Sequence, residues 1–406
     1  MSTIFRRNRN AAIITILIIA SMLTSAWGCK SVIDRQDVRP RVLHDVPARV
    51  LAYRLEPDVT APNMKIDDPS EKLAAIQKDF TSRRVNDALI RTVTSPDGRR
   101  VLALYGNDEE PASAFRIDLY NLDGQFLRNL IPPALSCVFP ETVAWSLDGN
   151  FISFIAHKHP APTSTPTPRE EAIPTGSPEP SPSVAPNFAP VASFQTEQIY
   201  ICNRDGFDLR PLTSREGLIY FAFSWAPDTH ALVALACKED EWDVREKQFK
   251  LPAGRPRLIS LDGQERLLDD ALTEAVPVWS PDSSKVATAF ETDVTIYDAG
   301  TNKPTQARLP LRDALIAASI VYEQKTTGKK PEAANVNSNA AAPSPAAAAS
   351  NSGVPASFNP IVRLEWVAPE RLYFQTAYVR LLPNEAINTF QRWHVLHLSA
   401  QAAVLK

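Results

Sequence analysis

The chain has 406 residues, and its 43 Lys and Arg against 46 Asp and Glu give a formal net charge of −3 at pH 7. A nucleic-acid-binding protein needs a concentrated basic face. This balanced composition supplies none, so nucleic-acid partners are not expected. Hydrophobic residues make up 44% of the chain, which suits a globular body.

The N-terminus has the features of an export signal. A basic stretch at 6–9 precedes an apolar run at 11–23 that is too short for a comfortable bilayer span, and small residues lead to Cys29. This arrangement resembles a bacterial lipoprotein signal with its lipobox. The resemblance implies that residues 1–28 are removed and that Cys29 carries acyl chains that hold the protein to a membrane. The alternatives are an uncleaved anchor and an ordinary cleaved secretory signal.

The residue after the lipidated cysteine bears on location. Lys30 stands where many Gram-negative lipoproteins that stay in the inner membrane have aspartate. For a source with two membranes, the resemblance therefore implies an anchor in the outer membrane, with the body in the periplasm as part of the cell envelope.

Residues 29–87 are predicted to form an N-terminal segment that includes the tether. Strand-like alternation occurs at 41–43 and 49–55, and the sequence from Asp68 to Ile76 begins like a capped helix. These parts could supply strands that close a ring by pairing with the end of the chain.

A turn signature recurs through residues 88–406. Each copy follows one short apolar run and precedes another, so the repeated unit is strand, tight turn, strand. Proline presets the second turn position, aspartate accepts nearby backbone N–H groups, and glycine tolerates the left-handed conformation that follows. The copies are Ser95-Pro96-Asp97-Gly98, Trp145-Ser146-Leu147-Asp148-Gly149, Trp225-Ala226-Pro227-Asp228, Trp279-Ser280-Pro281-Asp282 and the altered Trp366-Val367-Ala368-Pro369-Glu370.

The repeated residues are interpreted as structural. The tryptophans end a strand with a large flat ring that can fill the space between neighbouring sheets. The aspartates occupy the same turn of different units, which would spread them round a ring instead of bringing them together as catalytic carboxylates. The predicted packing residues are Trp145, Trp225, Trp279 and Trp366, and the predicted turn residues are Asp97, Asp148, Asp228 and Asp282.

A second recurring element is a hairpin with an Asp-Gly turn. It occurs at 199–213, 116–130 and 257–268, with a looser version at 294–309. The turn signature and the hairpin together make four strands per repeat. That is the composition of a propeller blade.

The turns and the hairpin I-Y-I-C-N-R-D-G-F-D-L-R-P-L-T resemble the TolB-like propellers, also described as WD40-like or PD40 repeats. The first copy departs from the pattern at Thr94, where Trp is expected, and the second at Leu147, where Pro is expected. The resemblance implies an all-β β-propeller of four-stranded blades. Five blades are directly recognisable, but TolB-like propellers usually have six. A six-bladed ring is therefore predicted, with the sixth blade assembled from the N-terminal segment and the apolar stretch at 313–322.

Two gaps between turns exceed the roughly 40–50 residues of a blade. One contains a proline-rich insertion at about 158–194, and the other a low-complexity insertion of Ala, Asn, Ser and Pro at about 325–358. Neither segment can bury enough apolar surface to offset its ordering entropy, so both are predicted to be disordered.

The cysteines and histidines give weak signals. Cys137, Cys202 and Cys237 are an odd number in an oxidising compartment, which favours buried thiols, with a single bridge as the alternative. No metal or cofactor is predicted: on a strand His394 and His397 would point to opposite faces, and the pair at 157 and 159 lacks an evident third ligand.

Function follows by elimination. The sequence has no G-x-S-x-G nucleophile elbow, so it is not expected to be an enzyme. The leading hypothesis is a scaffold for an envelope protein partner, with Glu239–Asp243 as an acidic loop that is either solvated or a docking patch. A binder of envelope glycan or a small ligand is second, and a propeller enzyme is third. The aromatics available for glycan binding are Tyr220, Trp242, Tyr373 and Trp393.

Overall fold

A computed structural model describes residues 42–63, 71–106, 113–160, 190–301, 303–327, 357–358, 360–380 and 388–400. The chain divides into two compact units, Met1–Asp45 and Val46–Lys406. In the first, the described part includes one 3-10 turn, Leu43–Asp45. All described strands and α-helices belong to the second unit.

The second unit begins with an extended segment and a helix. A 3-10 turn at Ala48–Val50 leads into strand β1 (Leu51–Val59), which overlaps the strand predicted at 49–55 and extends beyond it. The strand predicted at 41–43 is wrong, because Leu43 begins a 3-10 turn. Helix α1 (Ala74–Arg83) follows. The predicted helix start at Asp68 lies outside the described residues.

Five antiparallel sheets account for the remaining strands that are described. Sheet 1 comprises β2 (Ala88–Thr94), β3 (Arg100–Gly106), β4 (Arg116–Asn121) and β5 (Phe126–Asn129), in that spatial order. Sheet 2 comprises β6 (Leu135–Val138), β7 (Ala144–Trp145), β8 (Phe151–Lys158), β9 (Gln198–Asn203) and β10 (Arg210–Pro211), with β6 and β7 both on β8.

The next two sheets repeat the four-stranded order. Sheet 3 comprises β11 (Leu218–Trp225), β12 (Ala231–Lys238), β13 (Arg255–Ser260) and β14 (Glu265–Leu267), with helix α2 (Glu239–Lys247) between β12 and β13. Sheet 4 comprises β15 (Val278–Trp279), β16 (Lys285–Phe290), β17 (Asp293–Asp298) and β18 (Gln306–Pro310), and helix α3 (Arg312–Thr327) follows it.

Sheet 5 joins the two ends of the unit. It comprises β1 together with β19 (Ser357–Phe358), β20 (Ile361–Ala368), β21 (Arg371–Arg380) and β22 (Asn388–Ala400). Strand β1 pairs antiparallel with β22, from Leu51 opposite Ala400 to Val59 opposite Trp393. The pairing of an early with a late strand is therefore present.

The all-β class is confirmed, with antiparallel sheets of the kind found in propellers. The segments from which a sixth blade could be assembled are used differently in the described structure. Strand β1 belongs to sheet 5, and the apolar stretch at 313–322 lies within helix α3.

Side chains that alternate along the strands build the core between successive sheets. Leu102 and Leu104 of sheet 1 share a buried cluster with Ile152 and Phe154 of sheet 2. Equivalent clusters lie between sheets 2 and 3 and between sheets 3 and 4. Each of the first three sheets thus serves as the packing surface for the next.

The other face of sheet 1 is covered by a helix. Ile76 and Phe80 of α1 are buried against Val101, Ala103 and Tyr105, the residues that alternate with those facing sheet 2. Sheet 1 is also the sheet whose turn has Thr94 in place of tryptophan. Helix α1 therefore supplies apolar cover on this face.

The predicted acidic loop at 239–243 is wrong: these residues begin helix α2. Acidic side chains are favoured in the first turn of a helix, where they interact with its positive end. The Glu241 carboxylate also accepts from the Lys238 backbone N–H at 3.0 Å and forms two bonds with Arg255, at 2.7 and 2.8 Å.

The first insertion ends before residue 191. Val191 and Phe194 pack against the core cluster of sheets 1 and 2, and the Lys158 N–H donates to the Phe194 carbonyl at 2.5 Å. Residues 161–189 and 328–356 lie outside the described residues.

Candidate functional site

The turn aspartates are held by hydrogen bonds within their own turns. The Ser95 hydroxyl donates to Asp97 Oδ1 at 2.7 Å, and the Arg99 N–H donates to the same oxygen at 3.1 Å. Asp148 and Asp282 repeat this arrangement with Ser146 and Ser280. The bonds from Ser95 and Arg99 lower the pKa of Asp97 to about 2.

The third turn lacks the serine. Ala226 replaces it, and Asp228 Oδ1 accepts from the His230 N–H at 3.2 Å. In all four turns the aspartate receives a backbone N–H two residues later, which closes the reversal between the strands.

Neighbouring turns are in contact with one another. The sequence predicts that the turn aspartates are spread round a ring, because each lies in a different repeat unit. Thr229 Oγ1 donates to Asp148 Oδ2 at 3.2 Å, and the Asp228 N–H donates to Ser283 Oγ at 2.9 Å. Arg204 of the sheet 2 hairpin donates to Asp97 at 2.6 Å. These contacts link successive sheets at the turns. The described residues contain no group of three or more His, Cys, Asp or Glu that could hold a metal ion.

The signature tryptophans also connect neighbouring sheets. Trp145 Nε1 donates to the Val93 carbonyl of sheet 1, and Trp279 Nε1 to the Ser224 carbonyl of sheet 3, each at 3.1 Å. Trp225 Nε1 donates to Ser153 Oγ of sheet 2 at 2.8 Å. Trp366 differs, since its Nε1 bonds to the Pro369 carbonyl of its own turn at 3.2 Å.

A buried ion pair holds the chain ahead of β1. Lys285 Nζ lies 3.0 Å from Asp298 Oδ1, and the two side chains are only 3% and 2% exposed. Lys285 also donates to the Val46 carbonyl at 2.7 Å, and Asp298 Oδ1 accepts from the Ala48 N–H at 3.0 Å. We call Lys285, Asp298, Val46 and Ala48 the N-terminal clamp. No sequence pattern indicated it, because Lys285 follows Val46 by 239 residues and Asp298 follows Ala48 by 250.

A second ion pair, buried only on the arginine side, holds the far end of β1. Arg392 of β22 donates twice to the Asp58 carboxylate, at 2.6 and 2.7 Å, and once to Ser319 of α3 at 2.8 Å. The residues 46–59 are therefore fixed at both ends to the body of the unit.

The histidines do not assemble a metal site in the described structure. His394 is buried, stacks on Phe374 and lies 3.0 Å from Thr376 Oγ1, and burial together with Arg392 lowers its pKa to about 4. His397 is on the same strand and bonds to Glu56 at 2.7 Å. His157 and His159 contact different partners: His157 Nδ1 lies 3.5 Å from Glu197 Oε1, and His159 Nδ1 lies 2.8 Å from Ser136 Oγ.

The cysteines of the body are all buried: Cys137, Cys202 and Cys237. Burial raises the pKa of Cys202 and of Cys237 to about 12. Neither thiol is therefore a reactive thiolate at neutral pH. Cys29 lies outside the described residues, and no helix in the described ranges has the length and apolar character to cross a bilayer.

The four aromatics considered for glycan binding are not equivalent. Tyr220 is fully buried and donates to Glu265 at 2.9 Å, so its ring is not available to a sugar. Trp242 packs on Phe139 and Phe221. Tyr373 and Trp393 are half-buried on adjacent strands of sheet 5.

Helix α2 and the loop after it form an open cavity of about 210 Å³. Its apolar lining is Cys237, Trp242, Pro252 and Ala253, and its charged lining is Arg245, Glu246 and Lys250. Beside it, Phe249 is 98% exposed and Leu251 is 70% exposed. Of these residues, the sequence singled out Trp242 and Cys237, the latter only as a buried thiol.

No known family model matches the sequence, and comparison with curated proteins finds no match. Among solved structures, prolyl oligopeptidase B from Galerina marginata is similar over 77% of this chain and 35% of its own, with 11% identity and a TM-score of 0.40. Porphyromonas gingivalis dipeptidyl peptidase 4 is similar over 74% of this chain and 46% of its own, with 9% identity and a TM-score of 0.35. The chain thus spans less than half of either peptidase, and similarities this remote assign no activity.

Proposed function

We propose that this chain is a lipid-anchored protein of the bacterial cell envelope, whose body is a TolB-like β-propeller that serves as a scaffold for a protein partner. The anchor is Cys29, and the membrane is the outer one, facing the periplasm. The propeller has five blades, one for each described sheet, and β1 closes it as the outermost strand of the last blade. The body performs no catalysis.

The N-terminal clamp is the observation that carries the proposal. A lipid tether transmits its load to the first part of the body that follows it. Here the backbone of Val46 and Ala48 is bonded to the buried Lys285–Asp298 ion pair. The chain beyond them is held by the pairing of β1 with β22 and by the Asp58–Arg392 pair. Breaking one partner of a buried pair is costly, which suits a point of attachment.

The links between successive sheets support the scaffold role. Tryptophan bonds, turn contacts and shared apolar clusters connect sheets 1 to 4 in succession, which makes a rigid frame on which exposed loops can be positioned. The turn carboxylates are already occupied by hydroxyl, N–H and guanidinium donors, so they serve the frame.

Crosslinking in native membranes, followed by affinity capture and mass spectrometry, tests the proposal. A tethered scaffold yields a defined envelope protein with the wild type and loses most of it with Cys29→Ser. Capture at the same yield from Cys29→Ser would show that the tether is not needed. Capture of no protein by the wild type would contradict scaffolding.

A further inference from the structure

The loop after helix α2 holds an aromatic side chain out in solvent at a strained position. The Lys250 N–H donates to the Arg245 carbonyl and the Phe249 N–H to the Glu246 carbonyl, at 3.0 and 2.9 Å. These two bonds form a Schellman motif that places Phe249 at the left-handed position, with φ of 52°. Glycine is the usual residue there, because a Cβ is disfavoured in that conformation.

The left-handed backbone conformation of Phe249 and the exposure of its side chain do not stabilise the folded state. The side chain is 98% exposed and so gains almost nothing from burial, while its backbone conformation costs stability. Arg245 holds the loop further by donating from Nε to the Leu251 carbonyl at 2.7 Å. The loop is thus built to present Phe249 and Leu251, and exposed apolar side chains held in this way are typical of contact surfaces.

The cavity next to this loop can take one apolar side chain. A cavity of about 150 Å³ admits a benzene ring, and this one has about 210 Å³. Trp242 is fixed in its lining by contact with Phe221 and Phe139, at 5.5 and 5.8 Å between ring centroids. The apolar part of the site is therefore preformed.

The charges of the cavity complement a chain terminus. Arg245 is paired with Glu274, whereas Lys250 and Glu246 have no ion-pair partner among the described residues. A free ammonium suits a carboxylate, and a free carboxylate accepts an N–H. The last residue of a polypeptide offers a carboxylate, a peptide N–H and a side chain within one residue.

We propose that the α2 cavity binds the apolar C-terminal residue of a partner protein. Its side chain enters between Trp242 and Ala253, its carboxylate pairs with Lys250, and its N–H donates to Glu246. Phe249 and Leu251 contact the partner residues that precede this C-terminal residue. The inference rests on the proposed scaffold function, since it names the chemistry of the partner.

Fluorescence anisotropy with the purified full-length protein tests it. The probe is a labelled Gly-Ser-Gly-Ser-Ala-Phe peptide with a free carboxylate, and the matched peptides are its C-terminal amide and a version ending in lysine. A single-residue site of this kind predicts a Kd on the order of 0.1–1 mM. The amide, the lysine peptide and Lys250→Met are each expected to bind about tenfold more weakly.

Phe249→Gly separates a binding role from a structural one. Glycine relieves the left-handed strain, so the melting temperature is expected to stay the same or rise while peptide affinity falls about tenfold. Phe207→Ala, at another exposed aromatic, is the control and should keep full affinity. The proposal is overturned if the free-carboxylate peptide shows no binding to the wild type at a peptide concentration of about 5 mM. It is also overturned if the amide binds equally well. The same holds if Phe249→Gly lowers the melting temperature and leaves the peptide affinity unchanged. None of these results bears on Cys29 or the tether.

Discussion

The indole Nε1 of Trp225 reaches sheet 2 through the hydroxyl of Ser153, at 2.8 Å. Ser153 Oγ in turn donates to the Ala144 carbonyl at 3.3 Å. Between sheets 1 and 2 and between sheets 3 and 4, the tryptophan bonds directly to the equivalent carbonyl, that of Val93 or Ser224. The same inter-sheet link is therefore made twice directly and once through a serine.

Ser153→Ala is expected to leave Trp225 Nε1 buried without its acceptor and to lower the free energy of unfolding by about 1–3 kcal/mol. Ser224→Ala is the matched control, because Trp279 bonds to the Ser224 backbone and keeps its acceptor. That variant loses only the Ser224 hydroxyl bond to Pro277, worth about 0.5–1.5 kcal/mol. Urea unfolding measures both, and an equal or larger loss in Ser224→Ala would show that the link through Ser153 contributes little.

The N-terminal clamp predicts a larger effect. Lys285→Met or Asp298→Asn leaves one member of a buried pair without its partner and is expected to cost about 3–5 kcal/mol. The double variant should cost less than the sum of the two, since the residues interact directly.

Asp293→Asn serves as the control for the clamp. Its partner, Arg308, is 63% exposed, and such pairs contribute below about 1 kcal/mol. Additive losses at Lys285 and Asp298, measured by urea unfolding, would contradict the clamp as a coupled unit.

His394 predicts a pH dependence of stability. Its pKa is about 4 in the folded protein and 6.5 when unfolded, so the unfolded chain binds a proton first as the pH falls. Stability is therefore full above pH 6.5 and is lost as the pH falls toward 4, by about 3 kcal/mol in all.

A second buried group opposes this trend. Burial raises the pKa of Asp118 to about 6, so its protonation favours the folded state as the pH falls through 6. Comparing the wild type with His394→Gln at each pH isolates the histidine, because Asp118 is common to both. The unfolding free energy of the wild type minus that of His394→Gln should decrease between pH 7 and pH 4, because only the wild type loses the contribution of the neutral histidine. A constant difference would show that His394 titrates normally.

The features that sequence predicted are local ones. Turns around Asp97, Asp148, Asp228 and Asp282 depend on four or five consecutive residues, and hairpins such as 199–213 on their alternation and an Asp-Gly pair. The strand early in the chain was expected to pair with a late one, and β1 does so with β22.

The features that the sequence did not predict depend on contacts between residues far apart in the sequence, or on backbone conformation. The acidic run at 239–243 lacks apolar periodicity, so its helix was not recognised; its capping by Glu241 and the Arg255 pair required the fold. The clamp joins Lys285 to Val46 across most of the chain. The role of Phe249 lies in a backbone angle, which no residue type reveals.

The most direct test of the tethered scaffold is the lipidation of Cys29. Attachment of diacylglycerol requires its thiol, so wild-type protein should carry acyl chains by intact mass and partition with membranes, whereas Cys29→Ser should lose both. Cys237→Ala, which removes a buried thiol, should retain the acyl chains. Unchanged mass and unchanged membrane partitioning of Cys29→Ser would contradict the account.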